Sequence, residues 1–147
     1  MKERTVSFIA IASLLSFKSF SQIKADDILG VWMTGGKEPA KIQIYKSGEK
    51  YYGKIIWLKN PIENGKQRAD ANNPDKAKQN NPIVGLIILT GFKFDGDDEW
   101  KNGDIYDPES DKIYSSYMYL KDNNTLKVRG YVGVSLFGRT ETWARTN

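Results

Sequence analysis

The chain has 147 residues, with 22 Lys plus Arg, 18 Asp plus Glu, no His and no Cys, for a formal charge of +4. That length supports one domain with a real core. The missing residue types exclude imidazole bases, His metal ligands, thiol nucleophiles, zinc ribbons and disulfides, leaving carboxylate, Lys, Tyr or Ser/Thr chemistry, or none.

The chain opens with Met1-Lys2-Glu3-Arg4, followed by an apolar run from Val6 to Leu15 and then Ser19-Phe20-Ser21. A short basic start, a brief apolar core and small residues two apart form the three-part pattern of a secretory signal. The run is too short to span a bilayer as a permanent helix. Residues 1–21 are therefore expected to be a signal peptide, with cleavage after Ala25 as the alternative, and residues 26–147 a single β-barrel domain. No membrane-spanning segment is expected after cleavage. Removing residues 1–21 takes away Lys2, Arg4, Lys18 and Glu3 and leaves 19 basic against 17 acidic residues. A nearly neutral domain argues against nucleic acid as a partner, because phosphate binding needs a concentrated basic excess. An exported chain without cysteine suits a bacterial envelope, periplasmic or secreted.

After the signal the chain reads as short strands. Gly30–Met33 opens the series, Lys41–Tyr45 alternates cleanly, and Lys46-Ser47-Gly48-Glu49 supplies a turn before the aromatic and β-branched run Tyr51–Leu58. Asn60 to Pro82 interrupts with three prolines, six asparagines and little to bury. Loops of that length are usually functional or mobile, so this one reads as a lid over a barrel end or as a surface excursion. Ile83 to Phe94 is apolar again. Asn102-Gly103, between Glu99-Trp100 and Asp104-Ile105-Tyr106, is read as a hairpin turn. Lys112–Leu120, Thr125–Tyr131 and Arg139–Arg145 complete the series. Short strands with turns between them, and no sustained helical period, predict an all-β fold: one antiparallel up-and-down β-barrel of about eight strands.

Gly30-x-Trp32 and a late Arg resemble the signature shared by lipocalins and fatty-acid-binding proteins. The resemblance implies a lipocalin/calycin-like barrel closed at one end by Gly30, Trp32 and Arg145, with the guanidinium packed across the indole. Arg139 shares an alternation face with Arg145, so either can serve. The whole mature segment also resembles a bacterial secreted family of unknown function, domain of unknown function 2147. Its carriers include Gly53-Lys54-Ile55, Pro82-Ile83-Val84-Gly85, Gly103-x-Ile105-Tyr106-Asp107-Pro108, Val128-Arg129-Gly130-Tyr131 and Phe137-Gly138-Arg139-Thr140. That resemblance implies a lipocalin-like barrel exported to the envelope, and no activity. Ser110-Asp111-Lys112 departs from it, where the family usually has a glycine in the turn.

The polar residues borne by these motifs are the candidate site. Asp70, Asn73, Asp107, Arg129 and Arg139 are expected at a barrel mouth, where the arginines would grip a carboxylate or phosphate. The alternative is structural: Asp107 caps its own Asp-Pro turn, and Arg129 anchors the long loop through Asp70. Plain alternation puts Arg129 outside, with Lys127 and Tyr131. Tyr117 and Tyr119 would line a cavity or fill the core, and Trp32, Trp57 and Trp143 are assigned to the core. The run Asp95 to Glu99 does not fit an EF-hand loop and reads as a solvated hairpin tip. No metal or cofactor is implied. Val132-Gly133-Val134-Ser135 lacks the second glycine of a nucleophile elbow, so an enzyme is the least favoured class. The favoured function is non-enzymatic binding of a small amphipathic or anionic molecule in the envelope. The alternative is an envelope protein-interaction or maintenance module with a filled barrel. A void of roughly 300 Å³ or more would separate the two.

Overall fold

Period-two alternation builds every long strand in the computed structural model, which describes residues 21–147. The signal peptide expected over residues 1–21 lies almost wholly outside the described residues. Eight strands close the barrel: β1 (Gly30–Met33), β2 (Ala40–Ser47), β3 (Lys50–Leu58), β6 (Ile87–Phe94), β7 (Glu99–Asp107), β8 (Lys112–Asp122), β9 (Thr125–Tyr131) and β10 (Gly138–Thr146). Each pairs antiparallel with its sequence neighbour, and β1 closes on β10 through Trp32 opposite Arg145. The small hairpin of β4 (Ile62–Glu63) and β5 (Lys66–Gln67) stands apart within the long loop. The expected up-and-down barrel is the observed one. Among the described residues no helix is long and apolar enough to cross a membrane.

Successive side chains of a strand face opposite sides, so Ile42, Ile44, Met118, Leu120, Leu126 and Val128 point into the barrel and their neighbours face out. Two details depart from plain alternation. Asn102-Gly103 is not a hairpin turn. It lies inside β7, where the pairing with β8 shifts between Trp100 and Gly103, and Asn102 takes φ 60°. The irregularity lets the Phe92 ring lie over Gly103, where any Cβ would collide with it. The Asn-Gly pair that does form a two-residue hairpin is Asn64-Gly65, with φ 49° and 74°, joining β4 to β5. Trp57 is likewise not core. A register shift between β2 and β3 puts Ile55 and Leu58 inside, leaving Trp57 40% exposed with the Lys41 ammonium 5.8 Å from its ring.

The connections fall at two ends. One end carries the β2–β3, β6–β7 and β8–β9 turns and a 3-10 turn at Ala25–Ile28 that plugs the barrel. The other carries the β1–β2, β7–β8 and β9–β10 connections and the long loop.

Candidate functional site

The plugged end is filled by aromatic groups whose polar atoms all find partners. Trp32 is fully buried, and its indole N–H donates to the Ile28 carbonyl at 2.9 Å. Trp100 donates to the Ala25 carbonyl at 3.0 Å, and the Tyr51 hydroxyl donates to Asp26 at 2.6 Å. Hydrogen bonds from Tyr51 and then Lys46 hold the Asp26 carboxyl below its ordinary pKa. The Arg145 guanidinium lies 4.2 Å from the Trp32 ring centroid. It donates to the carbonyls of Leu29 at 2.8 Å, Asp27 at 2.7 Å and Asn123 at 2.6 Å. The closing arginine is therefore Arg145, not Arg139. Gly30, at φ 129°, is in a conformation that strains any side chain, and a Cβ there would crowd Arg145 Nη1 at 3.0 Å.

The opposite end opens into a cavity of about 980 Å³. Its floor is apolar: Ile42, Ile55, Ile88, Val128 and Trp143. Its mouth is polar, with Glu38, Glu63, Arg68, Asp107, Glu109 and Arg139 among the lining residues. Tyr106 and Tyr114 stand in the wall between the two. An apolar bottom with a few polar groups at the rim is the usual build of a small-molecule pocket.

The long loop crosses this mouth and is pinned there. Asp70 is 1% exposed. Its carboxylate accepts from Tyr106 Oη at 2.8 Å and from Asn73 Nδ2 at 2.7 Å, while its backbone N–H donates to the Asn81 carbonyl at 2.9 Å. Burial, and then the Asp70 carboxylate, push the Tyr106 phenol well above its ordinary pKa, which keeps it a donor. Asn72 Nδ2 reaches across to the Glu109 carbonyl at 3.1 Å, tying the loop to the β7–β8 turn. Ala69 pairs with Pro82 at the base of the loop. The loop thus contributes Glu63, Arg68, Asn72 and Ile83 to the cavity lining.

The expected rim residues separate into three groups. Asp107 and Arg139 line the cavity mouth. Asp107 also caps its turn, accepting from the Glu109 N–H at 3.0 Å and the Ser110 hydroxyl at 2.7 Å. Asp70 and Asn73 lie behind the wall as anchors of the loop. Arg129, Tyr117 and Tyr119 are on the outside of the barrel. Arg129 does not pair with Asp70 or Asp107: its guanidinium donates to Ser135 O at 2.6 and 2.8 Å and to Thr140 Oγ1 at 3.0 Å, bracing the β9–β10 connection. Strand alternation decides this, since Val128 and Gly130 take the inner face. Tyr117 and Tyr119 stack on each other at 6.4 Å, and Tyr131 lies 6.3 Å from Tyr117. Sequence reasoning missed Tyr106 as the loop's anchor, and Glu38, Glu63, Arg68 and Glu109 as lining. The signal for Tyr106 was its place beside Asp107-Pro108, at the strand end nearest the mouth.

At the plugged end, Asp95 turns its carboxylate onto its own hairpin, accepting from the N–H groups of Asp97, Asp98 and Glu99. Those bonds, the Asp97 and Glu99 amides first, lower its pKa to about 2. The acidic run is spent on the turn.

The family model described as an uncharacterised protein conserved in bacteria (DUF2147) matches residues 30–145. No curated protein matches the chain in sequence. Among solved structures, the chain is similar to protein HP1028 from the human pathogen Helicobacter pylori, described as belonging to the lipocalin family. The two superpose with a TM-score of 0.73 at 20% identity, over 81% of this chain and 82% of that one. At that identity the likeness concerns the fold.

Proposed function

The chain belongs to the bacterial family DUF2147, and from that premise and the geometry of its open end we propose that it is an exported, non-enzymatic barrel that holds a small amphipathic molecule in the cell envelope. The observation that carries this reading is the cavity of about 980 Å³ with an apolar floor and a polar mouth. A barrel filled by its own side chains would leave far less than the roughly 300 Å³ a small ligand needs. The lipocalin-like closure supports it by confining access to one end. Absence of His and Cys, and a Tyr106 phenol held protonated by burial, leave the lining poor in groups that exchange protons near neutral pH.

Export rests on the pattern of residues 1–21. Ile23 and Ala25 pack against the core and the Ala25 carbonyl accepts from Trp100, which favours a mature chain starting at Gln22 over one starting at Asp26. N-terminal sequencing of the envelope form checks this.

The test of binding uses N-phenyl-1-naphthylamine, a neutral amphiphile whose fluorescence rises in apolar surroundings. Saturable binding is expected. Ile88→Trp, which puts bulk into the cavity, should abolish it without loss of the folded barrel. One observation favours a second reading, as a protein-interaction module: Val132, Val134, Leu136 and Phe137 form an exposed apolar lip beside the mouth. Failure of any neutral amphiphile to bind would turn the assignment to that reading.

A further inference from the structure

The charges around the mouth run against those of the chain. Lys and Arg outnumber Asp and Glu in the sequence, yet the cavity is lined by Glu38, Glu63, Asp107, Glu109 and Glu141 against only Arg68 and Arg139, with no lysine. Both arginines already face carboxylates. Arg68 Nη2 lies 3.9 Å from Glu109 Oε1, and Arg139 Nη2 lies 3.6 Å from Glu141 Oε1. Lys37, Lys59, Lys112 and Lys66, the last opposite Glu63 in the β4–β5 hairpin, are at the same end but are exposed and do not line the cavity. Three lining carboxylates, Glu38, Glu63 and Asp107, therefore have no cationic partner among the described residues.

Resting on the reading of this cavity as a binding site, we propose that it selects amphiphiles whose apolar body ends in a positively charged nitrogen, an alkyl or aryl ammonium, over the carboxylates of equal chain length. The apolar floor takes the body. A head group emerging at the mouth meets carboxylates that carry no salt bridge, Glu38 and Asp107 accepting only from neutral donors, and their field is focused by the low-dielectric walls of the cavity. On the way it passes Tyr106 and Tyr114, whose aromatic rings attract cations. An anionic head would meet the same field with the opposite sign, and the charge of each arginine is already partly offset by a neighbouring glutamate. This reverses the expectation that arginines at the mouth grip an anion.

The test displaces N-phenyl-1-naphthylamine from the full mature protein with dodecylamine, dodecanol and dodecanoate, all below micellar concentrations. The expected order is amine, then alcohol, then carboxylate, with the amine effective at about a tenfold lower concentration than dodecanoate. The gap should narrow in high salt, which screens charges at an open mouth. It should also shrink in the Glu38→Gln/Glu63→Gln variant, whose changes are on exposed side chains and leave the barrel core untouched. Dodecanoate displacing as well as dodecylamine, or a gap unchanged in the double variant, would overturn the head-group assignment while leaving the binding reading intact. If neither the probe nor dodecanol bound at all, the binding reading itself would fall, and this proposal with it.

Discussion

At the plugged end, indole and phenol groups from Trp32, Trp100 and Tyr51 donate to the Ala25–Ile28 segment, and Arg145 caps the stack with three backbone carbonyls. At the open end, Ile42, Ile88 and Val128 face a cavity, and the polar groups belong to turns and a loop held from behind by Asp70. Both ends are built from the same eight strands. They differ in what the strand ends meet: at one, Trp32, Tyr51 and Trp100 close on the Ala25–Ile28 turn, and at the other, turns and a long loop border an open volume. Tight packing is therefore concentrated at one end, and the open volume lies at the other, where turns and the long loop form its border.

The largest break in this contrast should come from Trp32→Ala. Truncating a fully buried Trp costs about 3–5 kcal/mol, and here it also strips Arg145 of its ring. Chemical denaturation should show a much lower midpoint for the whole barrel. Asp70→Ala should act at the other end and more weakly. It leaves the Asn73 amide without its carboxylate acceptor and the half-buried Tyr106 hydroxyl with only Asp111 Oδ1 at 3.3 Å, a loss of about 1–3 kcal/mol. Limited proteolysis should then cut within residues 60–82 while the indole environments of Trp32 and Trp100 stay native. Arg129→Ala should be smaller still, within about 1 kcal/mol, because its bonds lie on the exposed outer wall. Faster amide exchange confined to residues 132–137 is the expected readout, with ligand binding unchanged.

The smallest expected effect is electrostatic. Asp95 has a folded pKa of about 2 against 3.8 ordinarily. A carboxyl with a depressed folded pKa contributes stability that is whole above about pH 4 and is lost as pH falls toward 2. Asp95→Asn should flatten the stability–pH curve in that window, measured as denaturation midpoints, by lowering the midpoints above about pH 4 while those near pH 2 change little.

The barrel was legible because alternation survives along most strands: Ile42 and Ile44, or Leu126 and Val128, announce an inner face by themselves. Gly30-x-Trp32 announced the closure, and Gly30 takes φ 129° with Arg145 Nη1 only 3.0 Å from where a Cβ would be. The same alternation already placed Arg129 outside, and its appeal as a loop anchor came from its neighbours in the motif, not from its face. Trp57 and Asn102-Gly103 were misread because one inserted residue reverses the sides of everything after it, and such a shift has no periodic signature. The mouth was the least legible part. Glu38, Glu63, Arg68 and Glu109 sit in turns and a short hairpin, where period-two reading gives no direction, and only the path of the long loop brings them around one cavity.

The central claim, that the open end is the binding end, is tested most directly by titrating N-phenyl-1-naphthylamine into labelled protein and following methyl and indole signals by NMR. The account predicts shifts at Ile42, Ile55, Ile88, Val128 and the Trp143 indole, with the Trp32 and Trp100 indoles unmoved. Shifts confined to the outer wall around Tyr117, Tyr119 and Tyr131, with the cavity floor silent, would contradict it.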